Sequence, residues 1–193
     1  APKGAREGLF TVLAFNIEIA KTREMVRENL IGEIRLQWWR DVIELIFNNP
    51  SDININHLVA GELATVIEKF RLSRSFFDLL IDARSRDLVD SPLENEADLK
   101  RYSYETSSTL SKILLEILCP IDKVLSSSEV EAAESVGIAW ALTGILRAST
   151  TLAKQKRVLI PKTLMKEFGF NNDEFYGQNA TNGIAEATAY IVD

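Results

Sequence analysis

The sequence predicts an all-α fold organised as a single domain. Apolar residues recur at intervals of three and four along most of the 193 residues, which is the spacing of amphipathic helices. Strand signals are absent, because no alternating run of β-branched residues is bounded by Asn-Gly or Asp-Gly turns. No long linker, internal repeat or low-complexity tract divides the chain, and its length suits one core. We therefore expect residues 1–193 to form one helical domain.

The apolar periodicity predicts six long helices, several of them separated by proline-containing breaks. Proline cannot continue a helix, and it disfavours the helical conformation in the residue before it. The breaks fall at Asn48-Asn49-Pro50, Ser91-Pro92 and Cys119-Pro120. The predicted helices lie near residues 5–26, 30–48, 56–71, 74–89, 96–118 and 128–151.

Capping signals mark the start of the sixth helix and indicate shorter helices after it. Pro161 suits the first turn of a seventh helix, which Gly169 would end. A weaker helical pattern covers residues 183–191. Two serine–glutamate pairs have the spacing of a capping box at the start of the sixth helix, namely Ser126 with Glu129 and Ser128 with Glu131.

Charge and composition exclude several function classes. The net charge of −6 provides no basic footprint for nucleic acid. The single cysteine, Cys119, cannot form an intramolecular disulfide and is typical of a reducing compartment, so we expect a cytoplasmic location. His57 is the only histidine, so no site built on several histidines is available.

We expect no transmembrane segment. No stretch approaches the ~18 consecutive apolar residues of a membrane-spanning helix, and no signal-peptide pattern is present. The longest uncharged apolar run, residues 136–146, is interrupted by Gly137, Thr143 and Gly144. Peripheral contact is the mode of membrane association that this pattern leaves open.

The most informative pattern lies in the sixth predicted helix, over residues 142–152. Its frame, and the basic link that leads from it into Ile160-Pro161, resemble the second aspartate-rich helix of squalene and phytoene synthases. That helix typically reads leucine-threonine-asparagine-isoleucine-leucine-arginine-aspartate, with two more acids a turn later. Non-acidic residues stand at the family's asparagine and acidic positions in this chain: Gly144, Ala148, Thr151 and Leu152.

A second segment, residues 13–24, resembles the first aspartate-rich helix of the same family. The family usually has alanine-phenylalanine, then two adjacent aspartates and a third acid a turn later. Here Ala20 and Lys21 occupy the adjacent pair, and only Glu24 keeps an acid. A lysine at a ligand position places a positive charge where a metal cation would have to bind, and the two charges repel.

These substitutions bear on the chemistry that the resemblance implies. Family members ionise a prenyl diphosphate with Mg²⁺, a hard cation that is held by carboxylates together with the substrate's phosphates. Acids at positions i and i+4 share one helix face and suit that task. Gly144, Ala148 and Leu152 have this spacing and supply no side-chain oxygen. We expect no metal and no cofactor; the alternative is Mg²⁺ held by residues outside both motifs.

The resemblance also covers the middle of the chain. The segment around Tyr102 and Tyr104 resembles the family's central helix, where a valine-alanine-glycine step allows close packing. Ser107, Ser108 and Ser111 are small enough to allow similar packing. The resemblance implies a helical bundle of the isoprenoid-synthase type around a central cavity lined by Phe15, Tyr102, Tyr104 and Ser108.

One motif resembles a particular branch of the family. The segment Gln37-Trp38-Trp39-Arg40 is similar to a signature of its non-synthase members, the mitochondrial assembly factor for respiratory complex I and its bacterial relatives. Paired aromatics on an amphipathic helix usually pack, so we expect at least one of the two tryptophans to be largely buried.

Basic residues follow the second degenerate motif. They either bind an anion such as a diphosphate or a lipid headgroup directly, or form a solvated loop with one arginine paired to a neighbouring acid. Family members continue with further helices beyond the equivalent of Pro161, so we expect a bundle truncated at its C-terminus. The basic residues are Arg147, Lys154, Lys156 and Arg157.

Two functions remain open. The favoured one is a catalytically degenerate member of the family that acts as a binding or assembly factor. Its partner would be a respiratory-chain protein related to complex I, or an isoprenoid or other lipid held in the old pocket. Its location would be peripheral to the inner membrane, in the mitochondrial matrix if the source is eukaryotic. The alternative is an active Mg²⁺-dependent prenyltransferase that joins two prenyl diphosphates head to head in isoprenoid or carotenoid biosynthesis.

Overall fold

The structure is a computed structural model that describes residues 2–48, 56–89, 92–120, 123–177 and 182–192. These residues form helices, one π-helical turn and connecting loops, and no β-strand occurs among them, so the all-α prediction is confirmed. The helices are α1 Lys3–Ala20, α2 Thr22–Met25, α3 Asn29–Asn48, α4 Leu58–Phe70, α5 Arg74–Leu88, α6 Glu96–Ser103, α7 Thr109–Leu118, α8 Ser127–Lys154, α9 Lys162–Glu167, α10 Asn172–Tyr176 and α11 Asn182–Val192.

Most helix ends lie within a few residues of the predicted ones. Of the two candidate capping boxes, the one that forms joins Ser126 and Glu129: the Ser126 hydroxyl accepts from the Glu129 N–H, and the Glu129 carboxylate accepts from the Ser126 N–H. Pro161 caps α9, and Gly169, with φ of +69°, follows its end. The short helix α10 has a capping box at Asn171 that the periodicity analysis missed. Residues 49–50 and 91, part of two predicted breaks, lie outside the described residues.

The predicted helix over residues 5–26 is divided in two. α1 ends at Ala20, a turn follows at Lys21, and the short α2 begins at Thr22. The Thr22 side chain is buried, and its hydroxyl donates to the Glu18 carbonyl at 3.3 Å. Threonine hydroxyls that bond to the preceding turn compete with helical backbone bonds, which explains why apolar spacing alone did not locate this break.

The predicted helix over residues 96–118 contains a π-helical turn, residues 104–108, between α6 and α7. Both the N–H and the hydroxyl of Thr109 donate to the Tyr104 carbonyl, five residues earlier. The Thr106 hydroxyl donates to the Tyr102 carbonyl at 2.7 Å. Two threonines thus bind backbone carbonyls around the wide turn, and π turns of this kind often mark functional sites.

The main core lies where α1, α3 and α5 meet. Phe15 of α1 packs edge-on against Trp39 of α3, with ring centroids 5.0 Å apart, and contacts Phe77 of α5 at 5.5 Å. Trp39 is 1% exposed, which confirms that one tryptophan of the pair is buried, whereas Trp38 is 39% exposed. Phe15 was expected to line the cavity, but it is fully buried in this core because α1 turns that face towards α3 and α5.

A second apolar cluster surrounds the C-terminal end of α8. Ala153 of α8 and Val158 after it pack with residues from α9, α10 and α11. Backbone bonds tie this region to the loop before α6, because the Lys162 N–H donates to the Leu93 carbonyl at 2.9 Å. The loop before α6 and the end of α8 are thereby held side by side.

Helix α8 is longer and more apolar than the sequence analysis recognised. Its 28 residues include an 18-residue window of mean hydropathy 1.3, of which 22% is buried, so by length and composition it is able to cross a membrane. It is the one such helix in the described part of the chain. A search for uninterrupted apolar runs missed it because Gly, Ala, Ser and Thr separate the large apolar residues without adding charge. In the structure α8 packs along α7 and the π-helical turn.

The contact between α8 and the π-helical turn depends on Gly137. A Cβ atom built on Gly137 would lie 2.4 Å from the Ser108 Cα and 2.6 Å from its backbone nitrogen. Ser108 is fully buried, and its hydroxyl donates to the Glu134 carbonyl at 2.7 Å. A small residue on each side therefore allows the two backbones to touch. Ser108 packs between helices and does not line the cavity as expected.

We predict that Gly137→Ala destabilises the fold, whereas Gly144→Ala on the same helix does not. The alanine at position 137 would push the backbone of α8 away from the backbone at Ser108. This should lower the free energy of unfolding by about 1–3 kcal/mol. At Gly144 an added Cβ meets nothing within 4 Å, so alanine should add about 0.5–1 kcal/mol through its higher helix propensity. Urea denaturation of both variants measures the difference, and equal stabilities would contradict the close contact.

Candidate functional site

Two adjacent cavities share a wall formed by the end of α5, α6 and the loop after α8. The first, which we call the motif cavity, has a volume of about 280 Å³ and is lined by Ala20 at the end of α1 and by Gly144, Ala148 and Leu152 of α8. These are positions from both segments that resemble the family's aspartate-rich helices. Trp140, 74% exposed, stands at its edge. The fold thus brings the two degenerate motifs to one cavity.

The other motif positions do not line this cavity. Lys21, in the turn after α1, and Glu24, on α2, are both exposed. Thr151 is exposed on the face of α8 that turns away from it. The one acid that the first motif keeps therefore lies outside the cavity.

The Asp87 carboxylate, buried at the end of α5, organises the inner wall of the motif cavity. It accepts a hydrogen bond from the Tyr102 hydroxyl at 2.9 Å and is 3.2 Å from the Arg84 guanidinium. The Arg157 guanidinium approaches it at 3.3 Å from the loop after α8. We call these four residues the Asp87 cluster. It connects α5, α6 and the end of α8, and Asp87, Tyr102 and Arg157 separate the motif cavity from its neighbour.

The Asp87 cluster carries more positive than negative charge. Two guanidinium groups, 13% and 19% exposed at their side chains, share one carboxylate that is 10% exposed. Arg84 also reaches the Asn16 side-chain oxygen at 3.4 Å, but its buried Nε has no hydrogen-bond partner among the described residues. Burial, and then the charge of Asp87, raises the pKa of the Tyr102 phenol, so this hydroxyl remains a donor. The wall favours an anion over a cation.

The remaining predicted residues are distributed differently from the expectation. Arg147 and Lys154 are exposed on α8 and line neither cavity, whereas Lys156 lines the second cavity and Arg157 lines both. Tyr102 lines both cavities, as expected for a pocket residue. Tyr104 points instead towards α7 and lines neither.

Tyr104 belongs to a contact that joins α7 to α8. Its hydroxyl accepts from the Lys112 ammonium at 2.8 Å, and Lys112 forms an ion pair of 2.5 Å with Glu134 of α8. Burial opposes the charge of Lys112, but the hydrogen bonds that its ammonium donates to Glu134 and Tyr104 outweigh this effect and raise its pKa. The expected pocket residue Tyr104 therefore positions a structural lysine.

Sequence reasoning missed the central role of Arg84 and Asp87. The sequence offers Arg84 and Arg86 as basic neighbours of Asp78 and Asp82, but the structure pairs Arg84 with Asp87 and Arg86 with Glu105. Asp78 pairs with Arg74 on the same helix at 3.3 Å, and Asp82 pairs with Arg40 of α3 at 2.9 Å. The signal was present, because Arg84 and Asp87 lie four and seven residues after the buried Leu80 and therefore share its helix face.

The residues of the motif cavity do not fit a Mg²⁺ ion. Of the residues that line it, Asp87 alone has a carboxylate, and that group is already engaged by Tyr102, Arg84 and Arg157. Magnesium keeps its water shell unless several hard oxygen ligands and substrate phosphates replace it. Across the described residues, no three His, Cys, Asp or Glu side chains cluster as a metal site would require.

The whole chain matches a family model. The model of the squalene/phytoene synthase family matches residues 1–193. Among similar proteins, human "NADH dehydrogenase (ubiquinone) complex I, assembly factor 6" is 27% identical over 186 residues, covering 96% of this chain and 54% of that protein. Phytoene synthase 1, chloroplastic, from Solanum lycopersicum is 25% identical over 177 residues, covering 89% and 42%. The chain thus spans about half the length of the relatives it matches.

Solved structures share the fold. Squalene synthase HpnC from Alicyclobacillus acidocaldarius superposes with a TM-score of 0.84 at 18% identity, covering 100% of this chain and 70% of that one. A dehydrosqualene synthase in complex with a ligand superposes with a TM-score of 0.79 at 20% identity, covering 98% and 63%. The expected isoprenoid-synthase-type architecture is confirmed, and at these identities the likeness concerns the fold alone.

We predict that the pKa of Tyr102 makes stability fall at high pH. Because its pKa is raised in the folded state, the unfolded chain loses this proton first, and the stabilisation present below pH ~10 declines above it. Tyr102→Phe should lower the free energy of unfolding by about 2 kcal/mol at neutral pH, because it removes a hydrogen bond to a charged acceptor. The gap between wild type and variant should then narrow by up to about 1.4 kcal/mol per pH unit above pH ~10. The free energy of unfolding of both proteins is measured by urea denaturation at several pH values. A difference between them that stays constant from pH 8 to pH 11 would contradict this assignment.

Proposed function

The chain belongs to the squalene/phytoene synthase family, and from that premise we propose that it acts as a non-catalytic binding protein in the assembly of a respiratory complex. The observation that carries the proposal is the lining of the motif cavity. Ala20 on one wall and Gly144, Ala148 and Leu152 on the other stand where the resemblance places the metal-binding residues. None of these side chains offers an oxygen ligand.

The charges of the cavity support the same conclusion. A metal-dependent synthase needs excess negative charge to hold Mg²⁺ beside a diphosphate. Here Arg84 and Arg157 outnumber Asp87, so the inner wall repels a divalent cation. A cavity of about 280 Å³ remains, and its α8 side is largely apolar. It suits the binding of an apolar or anionic group better than the ionisation of a diphosphate.

The similarity to proteins named complex I assembly factor 6 supports the proposed partner, a respiratory complex. Relatives with that name from Homo sapiens and Bos taurus are each 27% identical and cover 96% of this chain, and a homolog from Dictyostelium discoideum covers 89%. By this likeness the partners are components of the NADH dehydrogenase (ubiquinone) complex. The expected place of action is the periphery of the inner membrane, which in a eukaryotic cell means the mitochondrial matrix.

The proposal predicts no Mg²⁺-dependent turnover of prenyl diphosphates. Purified protein is incubated with labelled farnesyl or geranylgeranyl diphosphate and Mg²⁺ or Mn²⁺, and pyrophosphate and hydrocarbon products are measured. We expect neither above a protein-free blank, because Glu24 alone supplies at most one ligand and lies outside the cavity. Turnover that a chelator abolishes would contradict the proposal and support the alternative, an active head-to-head prenyltransferase.

A further inference from the structure

The second cavity, which we call the basic cavity, lies on the far side of the Asp87 cluster. Its volume is about 380 Å³, and its walls come from the end of α5, from α6 and the loop before it, from the loop after α8, and from α10. None of the degenerate motif positions lines it. It shares Asp87, Tyr102, Arg157 and Leu159 with the motif cavity, but none of the substituted motif positions on which the proposed function rests.

Cations dominate the charged lining of the basic cavity. Among its described lining residues are the four cations Arg86, Arg101, Lys156 and Arg157, against the two acids Asp87 and Asp98. Three of these cations already have acidic partners: Arg86 is 2.6 Å from Glu105, Arg101 is 2.5 Å from Asp98, and Arg157 belongs to the Asp87 cluster. Lys156 forms no ion pair within the described ranges, so its charge is available to a ligand.

The backbone at Lys156 adds a second observation. The Lys156 N–H donates to the Ala153 carbonyl at 3.0 Å, and the Arg157 N–H donates to the Leu152 carbonyl at 2.9 Å. These bonds form the Schellman motif that ends a helix, with Lys156 at its left-handed position, φ of +53°. Glycine is usual there, because a Cβ in this conformation costs about 1–2 kcal/mol. Lysine is unfavourable for the backbone here, but it places an ammonium group at the cavity.

The rest of the lining is largely apolar. Val89, Leu93, Val158, Leu159 and the ring of Tyr176 supply side chains beside the cations. A bare ion would gain nothing from these groups, whereas a ligand with an anionic head and an apolar body would use both. The mixed lining thus selects an amphiphilic anion.

We propose that the basic cavity binds a phosphate group carried on an apolar body. The Lys156 ammonium, unpaired among the described residues, supplies the charge that attracts the phosphate, and the guanidinium N–H groups that Arg101 and Arg157 do not use on their acids can donate to its oxygens. The apolar side chains contact the organic part of the ligand. Such a ligand is either the headgroup region of a bilayer phospholipid or a free organic phosphate, since both present the same chemistry.

Lys156→Gly separates binding from folding, because glycine relieves the left-handed backbone while it removes the charge. The matched control is Lys154→Gln, which removes a charge two residues earlier on a side chain that lines neither cavity. Short-chain phosphatidic acid, below its micelle-forming concentration, is titrated calorimetrically into each form of the 193-residue chain. We expect saturable binding by wild type and Lys154→Gln, and binding weaker by about tenfold in Lys156→Gly, whose melting temperature is unchanged or higher.

Three outcomes would overturn the proposal: no saturable binding by wild type, an equal loss in both variants, or binding of inorganic phosphate as tight as that of the lipid. Sedimentation with phosphatidylcholine vesicles, with and without phosphatidic acid, then identifies the source of the ligand. Sedimentation that needs both phosphatidic acid and Lys156 supports the proposal with a membrane lipid as ligand. Binding of the monomeric lipid without binding to vesicles supports it with a free organic phosphate.

Discussion

The Asp87 carboxylate is the interaction on which the arrangement of the site depends. A carboxylate this deeply buried is stable only when it is paired and hydrogen-bonded, and here Tyr102, Arg84 and Arg157 meet that requirement from three parts of the chain. Arg157 reaches Asp87 because the helix-ending turn after Leu152 reverses the backbone. One buried charge therefore holds α5, α6 and the end of α8 together, and it forms the wall that both cavities share.

The same cluster shows how this fold can be held together without a bound metal. In a metal-dependent site, carboxylates on opposite walls would repel one another until cations bound between them. This chain has small or apolar side chains at those positions, namely Ala20, Gly144, Ala148 and Leu152. In the adjacent wall, Arg84 and Arg157 outnumber the Asp87 carboxylate. The bundle is consequently held by its own ion pairs, and the charges around the motif cavity favour an anion over a cation.

The sequence predicted the helices well because burial imposes a regular spacing on apolar residues, and α3, α5 and α8 follow it closely. It failed where hydroxyl groups intervene, as Thr22 does at the break after α1 and Thr109 does at the π-helical turn. The family resemblance predicted that Ala20 and Ala148 lie on opposite walls of one cavity, and they do line one cavity. It also placed Phe15 in that cavity, whereas Phe15 is buried in the core. A pattern of residue types does not say which face of α1 turns towards α3.

Pairings between distant residues were the hardest features to predict. Within the Asp87 cluster, only the pair of Arg84 with Asp87, three residues apart on α5, has a spacing that is visible in the sequence. The contacts of Asp87 with Tyr102 and Arg157 span 15 and 70 residues and exist only once the helices have packed. Local signals therefore located the helices and the capping box at Ser126, whereas the charge balance of the cavities emerged from tertiary structure.

The central claim is that this chain serves respiratory-complex assembly without metal chemistry. Glu24 provides the most direct test, because it is the one acid left at the positions of the first motif. In cells that lack the gene, the amount of assembled NADH dehydrogenase (ubiquinone) complex is measured by native electrophoresis after re-expression of wild type or Glu24→Gln. The account predicts less complex without the gene and full restoration by both forms. An unchanged amount of complex in the deletion strain, or failure of Glu24→Gln alone to restore it, would contradict the claim.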